Sequence, residues 1–237
     1  MSAPGMARLG PSGRTTLIIA AAACAGLALA LTACAARVPV LVPEAAVVAV
    51  DGYGQAVIEG PAFSLKGRFA FSLRDSGLGR IEGFDPLGRS VFILISKGDK
   101  EYLILPRRKV YTDAEPGEFG RRFLSFGFSP AEAVELLCGR LGGAESRALS
   151  GWTLERDGKG RLAAGVKDDF RFEVGAYFPG GDVPSEVRFN FEGRGRLKIA
   201  KLRFNQPLNG AAYDLGFLAR FRRISPEEME ALISDEN

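Results

Sequence analysis

Residues 90–105 read SVFILISKGDKEYLIL. Lys97-Gly98-Asp99-Lys100 separates two apolar runs and has the composition of a hairpin turn. Phe92 and Leu94 fall on one face of the first run, and Ile93 and Ile95 on the other. Leu103 and Leu105 likewise oppose Ile104 in the second. A strand that is apolar on both faces needs cover on both sides. The stretch therefore predicts two adjacent strands inside a layered, β-rich fold.

Further strand signals lie on either side. Upstream, FSLKGRFAFSL alternates, with Phe69, Phe71 and Leu73 on one face and Arg68, Ala70 and Ser72 on the other. Downstream, Arg107-Arg108-Lys109 marks a second turn before Val110; both basic turns read as solvated tips. WTLERD and RLAAGV flank a DGKG turn signal. DFRFEVGAYF and EVRFNFE then alternate strictly, and GRGR at 193–196 reads as the turn into LKIAKLRF. Strands with one wet face belong to an antiparallel sheet.

Two helices interrupt the strands. Ser129-Pro130-Ala131-Glu132 is a capping box, followed by Val134, Leu137, Cys138 and Leu141 at the spacing of a buried stripe. Gly139 or Gly142-Gly143 ends that central helix. Ser225, Pro226 and Glu228 open a second, C-terminal helix in the same way. The fold class is mainly β (α+β), in one domain over residues 63–237.

Composition narrows the function. The chain has 237 residues, 46% of them apolar, with 30 glycines and 17 phenylalanines. So many glycines suggest many tight turns. It carries 31 Lys and Arg against 28 Asp and Glu; without residues 1–33, which hold Arg8 and Arg14 and no acid, 29 face 28. A near-neutral domain has no broad field for a phosphate backbone, so nucleic acid is not an expected partner. There is no histidine, which removes the commonest general base and metal ligand. No catalytic constellation, metal cluster or phosphate loop emerges, so neither an enzyme nor a cofactor is expected.

The N-terminus offers two readings. Residues 15–36 are uncharged, close to the length that spans a bilayer. The same residues fit a signal peptide: Arg8 and Arg14 precede the run, ten of its 22 residues are alanine, and small residues crowd before Cys34. Leu31-Thr32-Ala33-Cys34 resembles the bacterial lipobox, which implies thioether lipidation of Cys34, cleavage before it and acylation of the new amine. Several acyl chains hold a domain at a membrane where one would be marginal. Ala35, by similarity to known sorting signals, is permissive for the outer membrane. Residues 1–33 would be removed, and 34–62 would form a tether, with Pro39 and Pro43 opposing a helix and Gly52, Gly54 and Gly60 loosening the rest; pairing of its Val-rich middle, AAVVAV, as an edge strand is the other reading. Cys138 is then left without a partner and reads as a small core residue.

The segment RIEGFDPLGRSVFILISKGDKEYLILPRRKVYTDAEPGEFGRRFLSFGFSPAEAVELLCGRL, residues 80–141, resembles the LolB-like lipoprotein family. The match lies in the order of features: Asp85-Pro86-Leu87-Gly88, two apolar strands, Tyr111, an acidic connection, a phenylalanine-rich loop and a helix ended by Gly139. GRFAFSL resembles the family's first strand. Between Leu73 and Arg80 this chain has only RDSGLG, where the receptor of the family has an additional strand and turn. The resemblance implies a curved, half-open antiparallel barrel with a helical lid over an apolar cavity that receives acyl chains. It also implies a periplasmic carrier protein as partner, an outer-membrane location facing the periplasm, and a membrane-inserting role for the loop leucine, here Leu87. An ordinary turn residue packed back on the sheet is the other reading of Leu87. Phe69, Phe71, Phe92, Leu94, Leu103 and Leu105 are the expected cavity-lining residues. A core filled without a cavity is the alternative, as in a structural or interaction lipoprotein of an envelope assembly.

Overall fold

The computed structural model describes residues 40–43, 46–59, 64–124, 127–142, 151–190 and 193–234. The apolar run, Cys34 and Ala35 lie outside them. The described strands form one sheet. They are β1 (Ala49–Glu59), β2 (Ser64–Arg74), β3 (Gly79–Phe84), β4 (Ser90–Lys97), β5 (Lys100–Leu105) and β6 (Val110–Ala114). β7 (Thr153–Arg156), β8 (Leu162–Lys167), β9 (Phe170–Tyr177), β10 (Pro184–Asn190), β11 (Arg194–Phe204) and β12 (Arg222–Arg223) follow. Their order across the sheet is β12-β6-β5-β4-β3-β2-β1-β11-β10-β9-β8-β7. All neighbours are antiparallel except β12 with β6. The edge strands β12 and β7 do not pair with each other, so the sheet stays open. It is also strongly curved. β4 and β10 stand five strand spacings apart, roughly 24 Å if flat, yet Phe92 and Phe189 line one cavity.

Residues 49–59 depart from the expected tether. They form β1, which is central and joins the two halves of the sheet, from Val50 opposite Phe204 to Glu59 opposite Arg194. Gly52 and Gly54 do not loosen this strand; they let neighbouring chains close on it. A Cβ on Gly52 would stand 2.6 Å from both the Phe71 ring and the Lys201 carbonyl oxygen. One on Gly54 would meet the Lys198 carbonyl, beside the bulge at Tyr53/Gly54.

The same device recurs and accounts for part of the glycine and phenylalanine content. Gly52 pairs across strands with Phe71, Gly83 with Phe92, Gly165 with Phe172 and Gly195 with Phe189. In each pair the ring occupies the place a glycine Cβ would take. Cross-strand pairs of this kind give the ring a flat seat and allow the sheet to bend there.

Among the described residues three helices accompany the sheet: α1 (Glu118–Leu124), α2 (Pro130–Leu137) and α3 (Pro226–Ser234). α1 lies where the sequence suggested only an acidic connection and a loop. The carboxylate of the buried Glu101 on β5 accepts the Phe119 N–H (3.3 Å) and the Ser96 hydroxyl (3.0 Å), which fixes that first turn. α2 has the expected capping box: Ser129 Oγ accepts the Glu132 N–H at 3.2 Å, and Glu132 Oε2 accepts the Ser129 N–H at 2.8 Å. It ends at Leu137, shorter than the stripe suggested, with Gly139 at φ 73° turning the chain away. Leu141 remains fully buried outside the helix. The Ser225 box is present too, with bonds of 3.0 and 3.2 Å to Glu228.

The main core fills the concave face beneath α2 and α3. A second cluster lies on the other side of β4 and β5, where Ile93, Ile95 and Ile104 meet Tyr213 and Leu218. Two short 3-10 turns, Gly210–Tyr213 and Gly216–Arg220, supply this cover. The Tyr213 hydroxyl bonds Ser72 Oγ (2.7 Å) and its carbonyl oxygen (2.9 Å), while Arg80 and Lys97 donate to the carbonyls of Ala212 and Tyr213. The two-sided cover that SVFILIS and EYLIL required is thus provided by the C-terminal segment.

Candidate apolar cavity and rim loop

Between α2 and the concave face lies a cavity of about 50 Å³ whose lining is wholly apolar. The strand side comes from β1 (Ala56, Ile58), β2, β3 and β4 on one half of the sheet, and from β10 and β11 (Val187, Ile199) on the other. Ala133, Leu136 and Leu137 of α2 close it. The cavity therefore straddles the β1–β11 junction. At roughly 10–15 Å³ per water-sized sphere it has room for a few such spheres. An acyl chain is far larger than this volume.

A polar latch at its N-terminal end holds α2 down. Glu132 Oε1 accepts Lys167 Nζ at 2.6 Å and the Trp152 indole N–H at 2.7 Å. Burial opposes the charge on Glu132, but the Lys167 ammonium, the Ser129 N–H and the Trp152 N–H hold its carboxyl below the usual range. Trp152 stacks on Phe128, with ring centroids 5.0 Å apart, and both rings meet Phe170 and Phe172. The latch thus ties the lid helix to β8 and to an aromatic cluster over β9. Cys138, at the other end of α2, is buried, and burial pushes its thiol up to about 12, which keeps it an inert core group.

The expected lining residues divide. Phe69, Phe71 and Phe92 line the cavity. Leu94 lines an adjoining pocket of about 20 Å³ with Gly79, Phe128 and Pro130. Leu103 and Leu105 belong to the same concave core but do not line the cavity, because β5 lies toward the edge where α1 packs. The contributions of β1, β10, β11 and α2 were not expected. Val187 with Phe189 and Leu197 with Ile199 carried the signal, alternating apolar positions on a one-sided strand.

Leu87 is at the tip of the β3–β4 turn, with 76% of its surface exposed. It does not pack back on the sheet. Asp85 builds the turn: its Oδ1 accepts the N–H groups of Leu87 and Arg89, each at 2.9 Å, and its Oδ2 pairs with the Arg89 guanidinium at 2.7 Å. The Arg89 N–H, ahead of its guanidinium, holds the Asp85 carboxyl below its ordinary range. Gly88 takes φ 80°, a conformation that needs no Cβ.

No protein-family model matches the chain, and no curated protein does. Among solved structures, a DUF1329 family protein from Desulfovibrio piger aligns at 12% identity over 73% of this chain and 92% of its own, with a TM-score of 0.45. A putative outer membrane lipoprotein-sorting protein domain from Vibrio parahaemolyticus aligns at 13% identity over 75% and 94%, also with a TM-score of 0.45. A LolA superfamily protein from Nitrosomonas europaea aligns at 9% identity over 72% and 91%, with a TM-score of 0.46. The chain's own strand order, its curvature and the helix over its concave face make it a curved, half-open antiparallel barrel, the architecture expected of it.

Proposed function

We propose that this is a non-enzymatic, membrane-anchored lipoprotein of the bacterial envelope that binds acyl chains beneath α2, handling lipoproteins or lipids at the periplasmic face of the outer membrane. The observation that carries the reading is the wholly apolar cavity under a short helix on an open sheet. Each methylene removed from water contributes about 0.8 kcal/mol, so a chain can be held with no ionic contact. Lipidation at Cys34 would keep the domain at the membrane, and Leu87 would enter the bilayer interface. A periplasmic carrier protein would deliver the cargo. Opening would break the Glu132–Lys167 contact and swing Ala133, Leu136 and Leu137 off the strands.

The test is uptake of a fluorescent fatty acid by the purified protein, with native mass spectrometry for co-purified lipid. Saturable uptake is expected, and Ala133→Trp should abolish it by filling the cavity while circular dichroism stays unchanged. Uptake that ignores Ala133→Trp would place binding elsewhere. The small volume of the closed cavity favours a second reading, an interaction module of an envelope assembly with a packed core. A lipid-free mass and no uptake by the unsubstituted protein would support that reading instead.

A further inference from the structure

The hairpin turns sort onto two rims, and the sort separates the two basic turns. The β4–β5 turn, with Lys97 and Lys100, lies on the rim with the β2–β3 turn. The β5–β6 turn, with Arg107, Arg108 and Lys109, lies on the opposite rim, beside the β3–β4 turn that carries Leu87. These adjacent hairpins are about 10 Å apart, two strand spacings. Next along this rim, Arg68 pairs with Phe84 at the end of β3 and donates to the Pro86 carbonyl at 3.4 Å, and Lys66 lies two residues nearer the start of β2. Between β6 and β2 this rim carries Arg107, Arg108, Lys109, Arg89, Arg68 and Lys66, all exposed. Between β6 and β2 the described carboxylate of this rim is Asp85, already paired with Arg89; the next, Glu59, ends β1 opposite Ser64. In a chain whose charges nearly balance, this is a concentrated positive edge.

We infer that this rim is the face the domain lays on a bilayer of anionic phospholipid. Leu87 enters the interface, and the cations of the 107–109 turn meet headgroup phosphates beside it. An exposed leucine flanked by long basic side chains is the arrangement that partitions into an interface, with the stems in the apolar boundary and the charges at the phosphates. Each such cation contributes about fivefold in partitioning at an anionic surface. A row of turn tips along one rim fits a plane better than it fits a protein partner. The inference rests on the proposed membrane role and not on the cavity.

The test is amide hydrogen exchange of the purified full chain on phosphatidylcholine vesicles and on vesicles that also contain phosphatidylglycerol. Exchange in 85–89 and 106–109 should slow by about tenfold or more on the anionic vesicles alone, and 0.5 M salt should reverse it. The triple variant Arg107→Glu/Arg108→Glu/Lys109→Glu should lose the protection yet take up fatty acid normally, so rim and cavity can fail separately. Lys198→Glu/Lys201→Glu, on the outer face of β11, should keep it. Equal protection on both vesicles, protection at 97–100 instead, or protection lost in the β11 variant but kept in the triple variant would each overturn the inference. So would protection that appears only when an acidic protein is added.

Discussion

The two halves of the sheet are built differently on either side of the β1–β11 junction. In the β2–β6 half the outer face is covered: Ile93, Ile95 and Ile104 are buried under the 210–220 segment. In the β7–β11 half the outer face is wet, with Arg171, Glu173, Arg188, Arg196 and Lys198 in solvent. The first half is clamped between two apolar layers; the second is held from the inside only. The clamped half carries the Leu87 rim, and the one-sided half carries the latch partner Lys167. A lid that moves would pull away from the half with less support, while the rim loops keep a firm base.

Five substitutions probe this contrast, four in order of falling cost and Lys198→Ala as the outward control. Phe172, fully buried, ties the one-sided half to the aromatic cluster. Phe172→Ala should cost about 3–5 kcal/mol in denaturant unfolding, and a cost near zero would mean that half is held some other way. Ile104 is 0% exposed beneath Tyr213 and Leu218. Ile104→Ala should cost about 2–5 kcal/mol, while Lys198→Ala, also central in the sheet but outward in the wet half, should stay within about 0.5 kcal/mol. Similar costs at the two outward positions would erase the distinction.

Glu132→Gln removes the charge that holds Lys167 and should cost about 1.5 kcal/mol. Because the folded carboxyl is held below its usual range, that difference is fully present above the unfolded value, about pH 4.3. It shrinks as the pH falls through the lower folded value. Parallel stability curves for the two proteins down to low pH would show that the latch carries no charge-dependent stability. Tyr213→Phe loses the bonds to Ser72 and should cost about 1 kcal/mol, with faster hydrogen exchange confined to 210–220. Exchange that speeds up in β8 and β9 as well would show the halves to be coupled.

What could be read from the sequence was mostly local. The 98–99 turn, the Asp157-Gly158 hairpin and the two serine capping boxes lie where their residues placed them, because each depends on near neighbours. β1 was misjudged because Gly52 and Gly54 weaken a strand judged alone, and their value appears only once Phe71 and β11 close on them. α1 was missed because its anchor is Glu101, 18 residues earlier. The cavity was half legible: alternation placed Phe69 and Phe71 correctly. In β4 and β5, apolar on both sides, only the position of the 210–220 segment decides which face is inner.

The position of β1 also sets an order of events. β1 can form a hairpin with β2 as soon as both exist, but its other neighbour, β11, starts at Arg194, 145 positions after Ala49. Closing so long a loop is entropically slow, and contacts of this sequence separation form late in folding. The apolar lining needs both sides of that junction. Until β11 arrives, the β2–β6 half carries Phe69, Phe71 and Phe92 on an incomplete face. A chain emerging from its N-terminus would therefore expose an apolar face before it owns a pocket.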